Sequence, residues 1–453
     1  MFEKLFKLTE KKSTVKTEVF AGITTFLAMA YILGVNPGML ATEGTGMPFQ
    51  SVFLATAIAS AIACLIMGLV ANYPVGLSAG MGVNAFFTYT CIFTMGFTYQ
   101  EALAAVFVSG AIFLIISVTG IRKTIINSIP KNLKLAIGAG IGFFIAFIGF
   151  SNAGIVVANS ATKVALGDVS NPTVLLSLFG LVVTIGLMAK KVNAAVFYGL
   201  LATAVFGVIL GVCGISGMPG LPTSIVSFDF DMPTAGSFLD GFKTLFTRAE
   251  AFVVIFTFLF IDFFDTAGTL VAVGNDIGLV NEEGELENVE RALLADSIGT
   301  MIGSTLGTST ITSFVESGAG VAAGGKTGLT ACTTGVLFFL SIFFMPLLSV
   351  VNAIPVTIGD AQMFLSPVTA PALIVVGILM VSQLKDVEWE KFEVAAAGFM
   401  TIAIMVLTYS ISNGIAAGFL IYSVADIFGN KGKNLKPITL VLDVIFILHF
   451  WLS

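Results

Sequence analysis

Long apolar runs, repeated from one end of the chain to the other, constrain its fold more than any other feature of the sequence. A helix needs roughly 20 mostly apolar residues to cross a bilayer. Fourteen transmembrane spans are predicted, at residues 19–36, 51–71, 78–94, 101–119, 134–152, 173–189, 195–213, 250–274, 292–306, 313–332, 335–354, 368–384, 393–410 and 413–429. The sequence therefore predicts an all-α polytopic membrane protein, because helices satisfy their backbone hydrogen bonds internally.

Composition excludes the other broad classes. Charged residues make up 11% of the 453 residues and apolar residues 57%, whereas soluble domains are about 25% charged. So little charge cannot cover a water-soluble globule, and disordered or fibrous chains are polar or strictly repetitive. The four cysteines all fall in apolar runs, so we expect membrane-embedded thiols rather than a disulfide framework.

The basic residues are distributed unevenly between the two faces of the predicted protein. Of the 21 Lys and Arg residues, all but Lys163, Lys243 and Arg248 fall on the face that also holds the N-terminus. Cytoplasmic loops of membrane proteins carry an excess of Lys and Arg. We therefore expect a multi-pass protein of the cell (plasma) membrane whose N-terminus, residues 1–18, is cytoplasmic.

The C-terminal segment, residues 430–453, combines a basic linker with an extra apolar stretch at 437–452. Asp443 and His449 interrupt this stretch, and Trp451 lies at its end, where aromatic residues often mark the membrane interface. The stretch either crosses the membrane or lies on its surface, and the sequence leaves this open.

The predicted spans form two blocks of seven on either side of a loop at residues 214–249. An odd number of spans per block makes the second block enter the membrane from the opposite face, which suggests an inverted repeat. Glycines interrupt the third span at residues 76–84 and the tenth at 316–321, so both are poor continuous helices. Interrupted spans at matching positions in two halves indicate a transport site near the middle of the membrane.

Three carboxylates inside predicted spans stand out. Asp262 and Asp265 lie one turn apart on one face of the eighth span, and Glu316 lies where the tenth span is interrupted. A carboxylate at the bilayer centre costs at least a few kcal/mol, and no Lys or Arg is predicted mid-span to pair with these. Such acids are protonated, solvated in a cavity, or bound to a ligand with several donors. The structural alternative is that they cap half-helices or bind backbone groups that the glycines free.

An acidic site of this kind selects among substrate classes. It would repel an anion such as sulfate or bicarbonate, whereas a cation or a neutral molecule with several N–H groups would suit it. Asp265, Glu316 and Asp262 are also candidates for proton coupling, because buried carboxylates can take up a proton. Asn84 could bind substrate or join two helices, and Phe263 could stack on a flat ring or pack in the core.

We interpret a match to a nucleotide-binding motif as accidental. Residues 320–327 fit the P-loop pattern G-x-x-x-x-G-K-[ST], which needs a preceding strand and a soluble α/β domain. Here the pattern lies inside a predicted span, so we expect its glycines to allow close helix packing, with Lys326 at the cytoplasmic boundary. An intramembrane aspartyl hydrolase is the best enzymatic alternative, but fourteen spans exceed what it needs. We expect no enzymatic activity, no cofactor and no metal.

Four segments, in order along the chain, resemble the AzgA-like guanine/hypoxanthine permeases, a branch of the nucleobase–cation symporter family. They are residues 22–37, 79–87, 262–270 and 316–320. The resemblance covers the chain from about residue 14 to about residue 430. It implies a UraA-like fold, with fourteen transmembrane segments in a 7+7 inverted repeat. In that fold, spans 3 and 10 are broken by short antiparallel strands that lead into half-helices.

The resemblance also implies a division into two domains. A core domain that carries the substrate would comprise residues 19–120 and 250–354, and a gate domain would comprise residues 134–213 and 368–429. The core domain would carry the site past the gate domain in a rocking or elevator-like motion.

By similarity to this family, Asp262 and Glu316 would grip the nucleobase, and Asp265 and Asn84 would support binding or transport. In the uracil and xanthine branches a histidine follows the first carboxylate by four residues. Thr266 stands there in this chain, so coupling through that histidine is not carried over. The rest of the predicted substrate-binding set is Gly80, Thr266, Ser317 and Phe263.

The sequence thus predicts a secondary active transporter that imports the purine nucleobases guanine and hypoxanthine with a cation, H⁺ in preference to Na⁺. Adenine is left open as a further substrate. The alternatives are an ion-coupled transporter of another small neutral or cationic solute, and an anion carrier or channel on the same architecture. The expected partners are the nucleobase, the cation and the lipid bilayer, with no nucleic acid; a homodimer and the ion stoichiometry are left open.

Overall fold

The computed structural model describes residues 2–119, 130–222, 224–276, 289–358, 361–433 and 435–452, and most of this length is helical. The helices of the first half are α1 (Phe2–Phe6), α2 (Val15–Met29), α3 (Ile32–Leu40), α4 (Phe49–Ile66), α5 (Met81–Ala85), α6 (Tyr99–Thr119), α7 (Lys131–Asn152), α8 (Pro172–Ala189) and α9 (Ala195–Val212). Those of the second half are α10 (Phe238–Leu245), α11 (Ala251–Asp276), α12 (Val289–Leu306), α13 (Ser317–Ala322), α14 (Gly328–Ser341), α15 (Ala370–Val381), α16 (Phe392–Leu407), α17 (Ile411–Asn430) and α18 (Pro437–Leu452).

Short irregular helices and three two-stranded sheets complete the described structure. Two π-helical segments follow α4 and α5, and two 3₁₀ segments follow α14 and α15; they are Met67–Ala71, Phe86–Thr94, Ile342–Val351 and Ser382–Asp386. The strands are β1 (Leu77–Ala79), β2 (Val156–Asn159), β3 (Lys163–Leu166), β4 (Ile311–Ser313), β5 (Ile354–Ile358) and β6 (Ala361–Leu365). They pair antiparallel as β1–β4, β2–β3 and β5–β6.

Eight helical segments among the described residues are long and apolar enough to cross a membrane. They are Val15–Leu40, Phe49–Ala71, Tyr99–Val118, Asn132–Asn152, Pro172–Ala189, Ala195–Val212, Gly328–Leu348 and Ile411–Gly429. Two shorter apolar helices, Ala251–Phe263 and Phe392–Leu407, coincide with the predicted eighth and thirteenth spans. The polytopic helical fold is thus confirmed, while the total of fourteen spans stays a prediction.

The predicted third and tenth spans are interrupted, as expected. Each consists of a buried three-residue strand followed by a short helix, β1 then α5 and β4 then α13. Ser78 lies opposite Thr312, and hydrogen bonds from Gly80 N to Thr310 O (3.1 Å) and from Phe314 N to Gly76 O (3.0 Å) lengthen the ladder. The two segments therefore satisfy each other's backbone groups where neither is a continuous helix.

The boundary between the tenth and eleventh spans differs from the prediction. The sequence predicts it between residues 332 and 335, whereas α13 ends at Ala322 and α14 begins at Gly328. Gly324 turns the chain here with a φ of +105°, which L side chains rarely adopt. Thr327 then caps α14 by accepting from Leu329 N at 3.4 Å. The apolar and small residues on both sides concealed this turn from a hydropathy argument.

Helix packing separates two groups. In one, α2, α4, α6 and α11 to α14 pack around β1 and β4; in the other, α7 packs on α15 and α16, α8 on α9, and α16 on α17. Small residues allow the close approaches: a Cβ on Gly142 of α7 would lie 2.9 Å from Gly377 O of α15. The two groups meet where α7 contacts α5 and α11.

Both terminal segments pack against the helices. Phe6, at the end of α1, and Leu8 are buried with Leu329 and Cys332. The apolar stretch at 437–452 forms α18, whose Phe446 ring lies 5.3 Å from that of Phe419. All four cysteines are free, as expected, but only three are buried, and the one on the surface is Cys213.

Candidate functional site

A bend in the first long helix places a tyrosine against the tenth span. Helix α2 ends at Met29 and α3 begins at Ile32, and between them the buried Tyr31 donates its hydroxyl to Glu316 Oε1 at 2.5 Å. Glu316 immediately precedes α13 and is half-buried. A hydrogen bond from a hydroxyl to a carboxylate is among the stronger ones in proteins. Tyr31 therefore fixes the position of the Glu316 carboxylate.

Asp265 of α11 belongs to the same cluster. It is half-buried, lies beside Thr312 of β4, and is close enough to Glu316 for the two charges to interact. We call Tyr31, Asp265 and Glu316 the open acid cluster, because neither acid is fully buried. Its three residues come from three different parts of the chain, which the β1–β4 pairing brings together.

Asp262 makes different contacts. It is 1% exposed, and its Oδ2 accepts from Thr300 Oγ1 of α12 at 3.1 Å. One turn further on, Thr266 donates to Asp296 Oδ1 of α12 at 2.8 Å, and Ser313 of β4 donates to the same oxygen at 3.4 Å. Two reciprocal Asp–Thr hydrogen bonds thus join α11 to α12. We call Asp262, Thr266, Asp296 and Thr300 the Asp–Thr square.

Two other predicted binding residues join the broken spans. Asn84 of α5 is buried, and its Oδ1 accepts from the hydroxyl of Ser309, just before β4. Ser317 is buried too, and its Oγ accepts from Gly76 N, just before β1, at 2.9 Å. These bonds hold α5 against the tenth span and α13 against the third.

The last two predicted binding residues pack tightly. A Cβ on Gly80 would lie 2.8 Å from Thr312 Cγ2, so glycine is needed for β1 to approach β4. The Phe263 ring packs edge-on against Phe113 of α6, with 5.6 Å between centroids, in the buried core.

The residues that match the P-loop pattern bind a carboxylate of the protein itself. Glu18 of α2 is fully buried and accepts from Lys326 N at 3.1 Å, Thr327 N at 3.2 Å and Thr330 Oγ1 at 2.6 Å. The Lys326 side chain is exposed. Two of the backbone N–H groups that a P-loop would present to phosphate are therefore occupied by Glu18, which supports the interpretation that the match to this pattern is accidental.

An aromatic cluster connects the two packing groups. Tyr409, between α16 and α17, contacts Tyr89 of the third span edge-on at 5.5 Å between centroids. It also contacts Phe144 and Phe147 of α7, at 5.2 and 5.8 Å. Three elements that are distant in sequence therefore meet around one ring.

Sequence reasoning overlooked four residues that the structure brings into these sites: Glu18, Tyr31, Asp296 and Thr300. For the last two a signal existed, because Asp-x-x-x-Thr occurs in both the eighth span (262–266) and the ninth (296–300). Residues four apart share a helix face, so two such faces can bond reciprocally. Tyr31 gave no comparable signal, since a tyrosine in an apolar run resembles any core aromatic. In the part of the chain that the structure describes, no group of three or more His, Cys, Asp or Glu could hold a metal.

A polytopic helical protein in which two broken spans meet at buried acids has the build of a membrane transporter. Residues 16–417 match the model of the permease family, and the chain belongs to this family. It is a transporter rather than an enzyme, so the aspartyl hydrolase alternative is set aside.

Relatives with assigned names indicate which branch of the permease family this chain resembles. The chain is 48% identical over 453 residues to the guanine/hypoxanthine permease PbuG of Bacillus subtilis (strain 168), with 98% of each chain covered. It is 37% identical over 448 residues to the adenine permease AdeP of Escherichia coli (strain K12), with 99% of this chain and 95% of the other covered. The resemblance to the nucleobase permease branch is confirmed.

Among solved structures, the transmembrane domain of a cyanobacterium bicarbonate transporter, BicA, is similar with a TM-score of 0.59. The alignment covers 89% of this chain and 96% of the other at 13% identity. At this identity the likeness concerns the fold alone.

Proposed function

We propose that this chain imports purine nucleobases, guanine and hypoxanthine above all, across the cell membrane together with a proton. Relatives that align over nearly their full length are named as guanine/hypoxanthine and adenine permeases. The structural observation that carries the proposal is the open acid cluster, in which Tyr31 holds Glu316 near Asp265.

The open acid cluster offers what a purine requires. Ring N–H and exocyclic amino groups are hydrogen-bond donors, and a carboxylate can accept from two adjacent donors at once. A carboxylate has about four lone-pair sites, so the bond from Tyr31 to Glu316 leaves sites for a ligand. An anionic substrate would meet two carboxylates and be repelled.

Within this proposal Asp265 takes the role that the sequence assigned to Asp262. Asp262 is fully buried and bonded to Thr300, whereas Asp265, one turn further along α11, is half-buried and interacts with Glu316. We therefore place Asp265 and Glu316 at the nucleobase and Asp262 in cation coupling. The other predicted binding residues then act as positioning residues: Gly80, Asn84, Phe263, Thr266 and Ser317.

We further propose that the two packing groups are the core domain (19–120 and 250–354) and the gate domain (134–213 and 368–429). Helix packing supports this division. The ring contact between Tyr89 of the core and Tyr409 of the gate would have to break when one domain moves past the other. The excess of Lys and Arg on one face supports a cytoplasmic N-terminus.

Uptake of labelled guanine into vesicles that contain the purified protein tests this function. We expect unlabelled hypoxanthine to compete strongly, and uracil and sulfate to have no effect. Competition by adenine would show that the site accepts adenine as well. Competition by sulfate or bicarbonate without competition by hypoxanthine would support an anion carrier on the same architecture. Competition by small organic cations alone would support a cation carrier. Either result would contradict the proposal.

A further inference from the structure

We propose that the Asp–Thr square is the proton site of this transporter and that it is separate from the nucleobase site. The inference rests on the proposed function, which it deepens by naming where the coupled proton binds. Asp262 bonds Thr300 at 3.1 Å, and Thr266 bonds Asp296 at 2.8 Å. Because the order of the partners is reversed between the two helices, α11 and α12 run antiparallel here.

Each acid of the square keeps one oxygen without a donor. Within the described residues, Asp262 Oδ1 and Asp296 Oδ2 have no hydrogen-bond partner, although the two residues are only 1% and 0% exposed. Nearly all buried polar atoms in native proteins are hydrogen-bonded. The charge of Asp296 also acts on Asp262, so two ionised carboxylates would repel each other in an apolar interior. One added proton removes a charge and gives one of the acids a hydrogen to donate.

The donor set suits a proton better than a metal ion. Hard cations in proteins are held by about six or more oxygen ligands. The square has two free carboxylate oxygens, since its other carboxylate oxygens already accept from threonine hydroxyls. A proton needs only a single carboxylate oxygen. We therefore commit to H⁺ and leave Na⁺ as an outcome of the test.

The hydroxyl of Thr300 connects the square to β4. It lies 3.1 Å from Asp262 Oδ2 and 3.2 Å from Ile311 O, and it also accepts from Ile311 N at 3.1 Å. A hydroxyl has one hydrogen to donate, so Thr300 donates to Asp262 while that acid is ionised. Once Asp262 carries a proton and donates to Thr300, the hydroxyl hydrogen turns to Ile311 O. Protonation thus changes a bond to the strand that leads into Glu316.

Other titratable groups lie on α11 itself and on the elements that pack around α11 and α12. Asp265 of α11 acts on both acids, and Glu316 acts on Asp265 in turn. Cys64 of α4 is bonded to the backbone of Leu77 in β1. Glu101 of α6 pairs with Arg248 at 3.2 Å, ahead of α11. The open acid cluster is therefore the group through which nucleobase binding and protonation of the square influence each other.

The test compares exchange with accumulation in vesicles that contain the full chain. Asp262→Asn and Asp296→Asn remove the acids but keep an acceptor for each threonine. We expect both variants to exchange labelled guanine across the membrane within about threefold of the wild type, a change near 0.65 kcal/mol. With the interior one pH unit more alkaline, the wild type should accumulate guanine about tenfold per coupled proton, and both variants should stop at equal concentrations.

Asp443→Asn is the matched control, since Asp443 is a buried acid of α18, 8% exposed and outside the square. We expect it to exchange and accumulate guanine as the wild type does. If an Asn variant proves unstable, Thr300→Val carries the test, because it removes the connecting hydroxyl and no acid. Its exchange should persist while its accumulation falls at least about threefold, since the link to β4 is lost.

Three results would overturn the inference while leaving nucleobase transport intact. They are full accumulation by Asp296→Asn, accumulation by the wild type that follows a Na⁺ gradient alone, and exchange by the wild type without accumulation under any gradient. Loss of guanine binding in both Asn variants as complete as in Asp265→Asn would also overturn it, because the square would then be part of the nucleobase site. Absence of guanine exchange by the wild type would instead contradict the proposed function itself.

Discussion

Asp262 and Asp265 of α11 lie one turn apart, yet their surroundings differ. Asp265 is half-buried and interacts with Glu316 of the tenth span, whereas Asp262 is fully buried and bonded to Thr300 of the ninth. Residues three apart are separated by a small angle around a helix. That angle is enough for Asp262 to contact α12 and for Asp265 to lie near Glu316, at the start of α13. The difference shows that neighbouring helices, and not position along the span, decide how deeply each acid is buried.

A third buried acid extends the comparison. Both oxygens of Glu18 accept hydrogen bonds, two from backbone N–H groups and one from a hydroxyl. A carboxylate satisfied in this way holds structure together. The Asp–Thr square is partly satisfied and suits a proton, and the open acid cluster is half-buried and suits a ligand. From the number of hydrogen-bond donors and the exposure of each acid, we therefore assign Glu18 a structural role. Within the proposed function, the Asp–Thr square is assigned to proton binding and the open acid cluster to nucleobase binding.

The largest effect is expected at the open acid cluster. Glu316→Gln keeps the shape of the side chain but removes the charge and one acceptor oxygen. Guanine binding should weaken by at least tenfold, about 1.4 kcal/mol. Calorimetric titration of the purified variant with guanine measures this. Asp265→Asn should weaken binding comparably, while Asp262→Asn should bind within about threefold of the wild type. Equal losses at Asp262 and Asp265 would remove the distinction between the two acids.

Two glycines of α13 provide a test of how closely this helix, which follows Glu316, packs against α2. A Cβ on Gly320 would lie 2.0 Å from Thr25 Oγ1, whereas one on Gly318 would meet nothing within 4 Å. Gly320→Ala should therefore push α13 away from α2 and destabilise the protein by about 1–3 kcal/mol. Gly318→Ala is the control and should unfold at the same temperature as the wild type. Thermal unfolding of both variants in detergent is the measurement, and similar unfolding temperatures would contradict the close α2–α13 packing.

Tyr31→Phe should have a smaller effect. It removes the hydroxyl that positions Glu316 and leaves the carboxylate in place. The charge and both acceptor oxygens of Glu316 remain, so guanine binding should fall only by about three- to tenfold, roughly 0.65–1.4 kcal/mol. Tyr198→Phe, at an exposed position on α9, is the control and should bind normally. Normal binding by Tyr31→Phe would show that Glu316 is positioned by other groups.

The sequence predicted the fold class, the two interrupted spans and three of the acids that the structure brings close together, because hydropathy, glycine and buried charge each leave a local mark. It did not predict which way each acid points. Asp262 and Asp265 share a helix face, and their separation depends on where α12 and α13 pack, which no local pattern records. The turn at Gly324 was also missed, because small and apolar residues surround it. Asp296 was within reach of sequence reasoning, since its spacing to Thr300 repeats that of Asp262 to Thr266.

The smallest effect is expected at Lys326, and this prediction tests the structural role of Glu18 and its partners. Lys326 contributes its backbone N–H to Glu18, while its side chain is exposed. Lys326→Ala keeps that N–H, so stability should change by less than about 0.5 kcal/mol and guanine uptake into vesicles should stay independent of ATP.

Glu18→Gln is the contrasting variant. It places an amide where a carboxylate met two N–H groups and a hydroxyl, so it should destabilise the protein by roughly 1–3 kcal/mol. ATP binding by the wild type that disappears in Lys326→Ala would mean that the P-loop pattern is functional after all. The two variants thus ask whether residues 320–327 serve Glu18 or a phosphate, and the bonds to Glu18 favour the first.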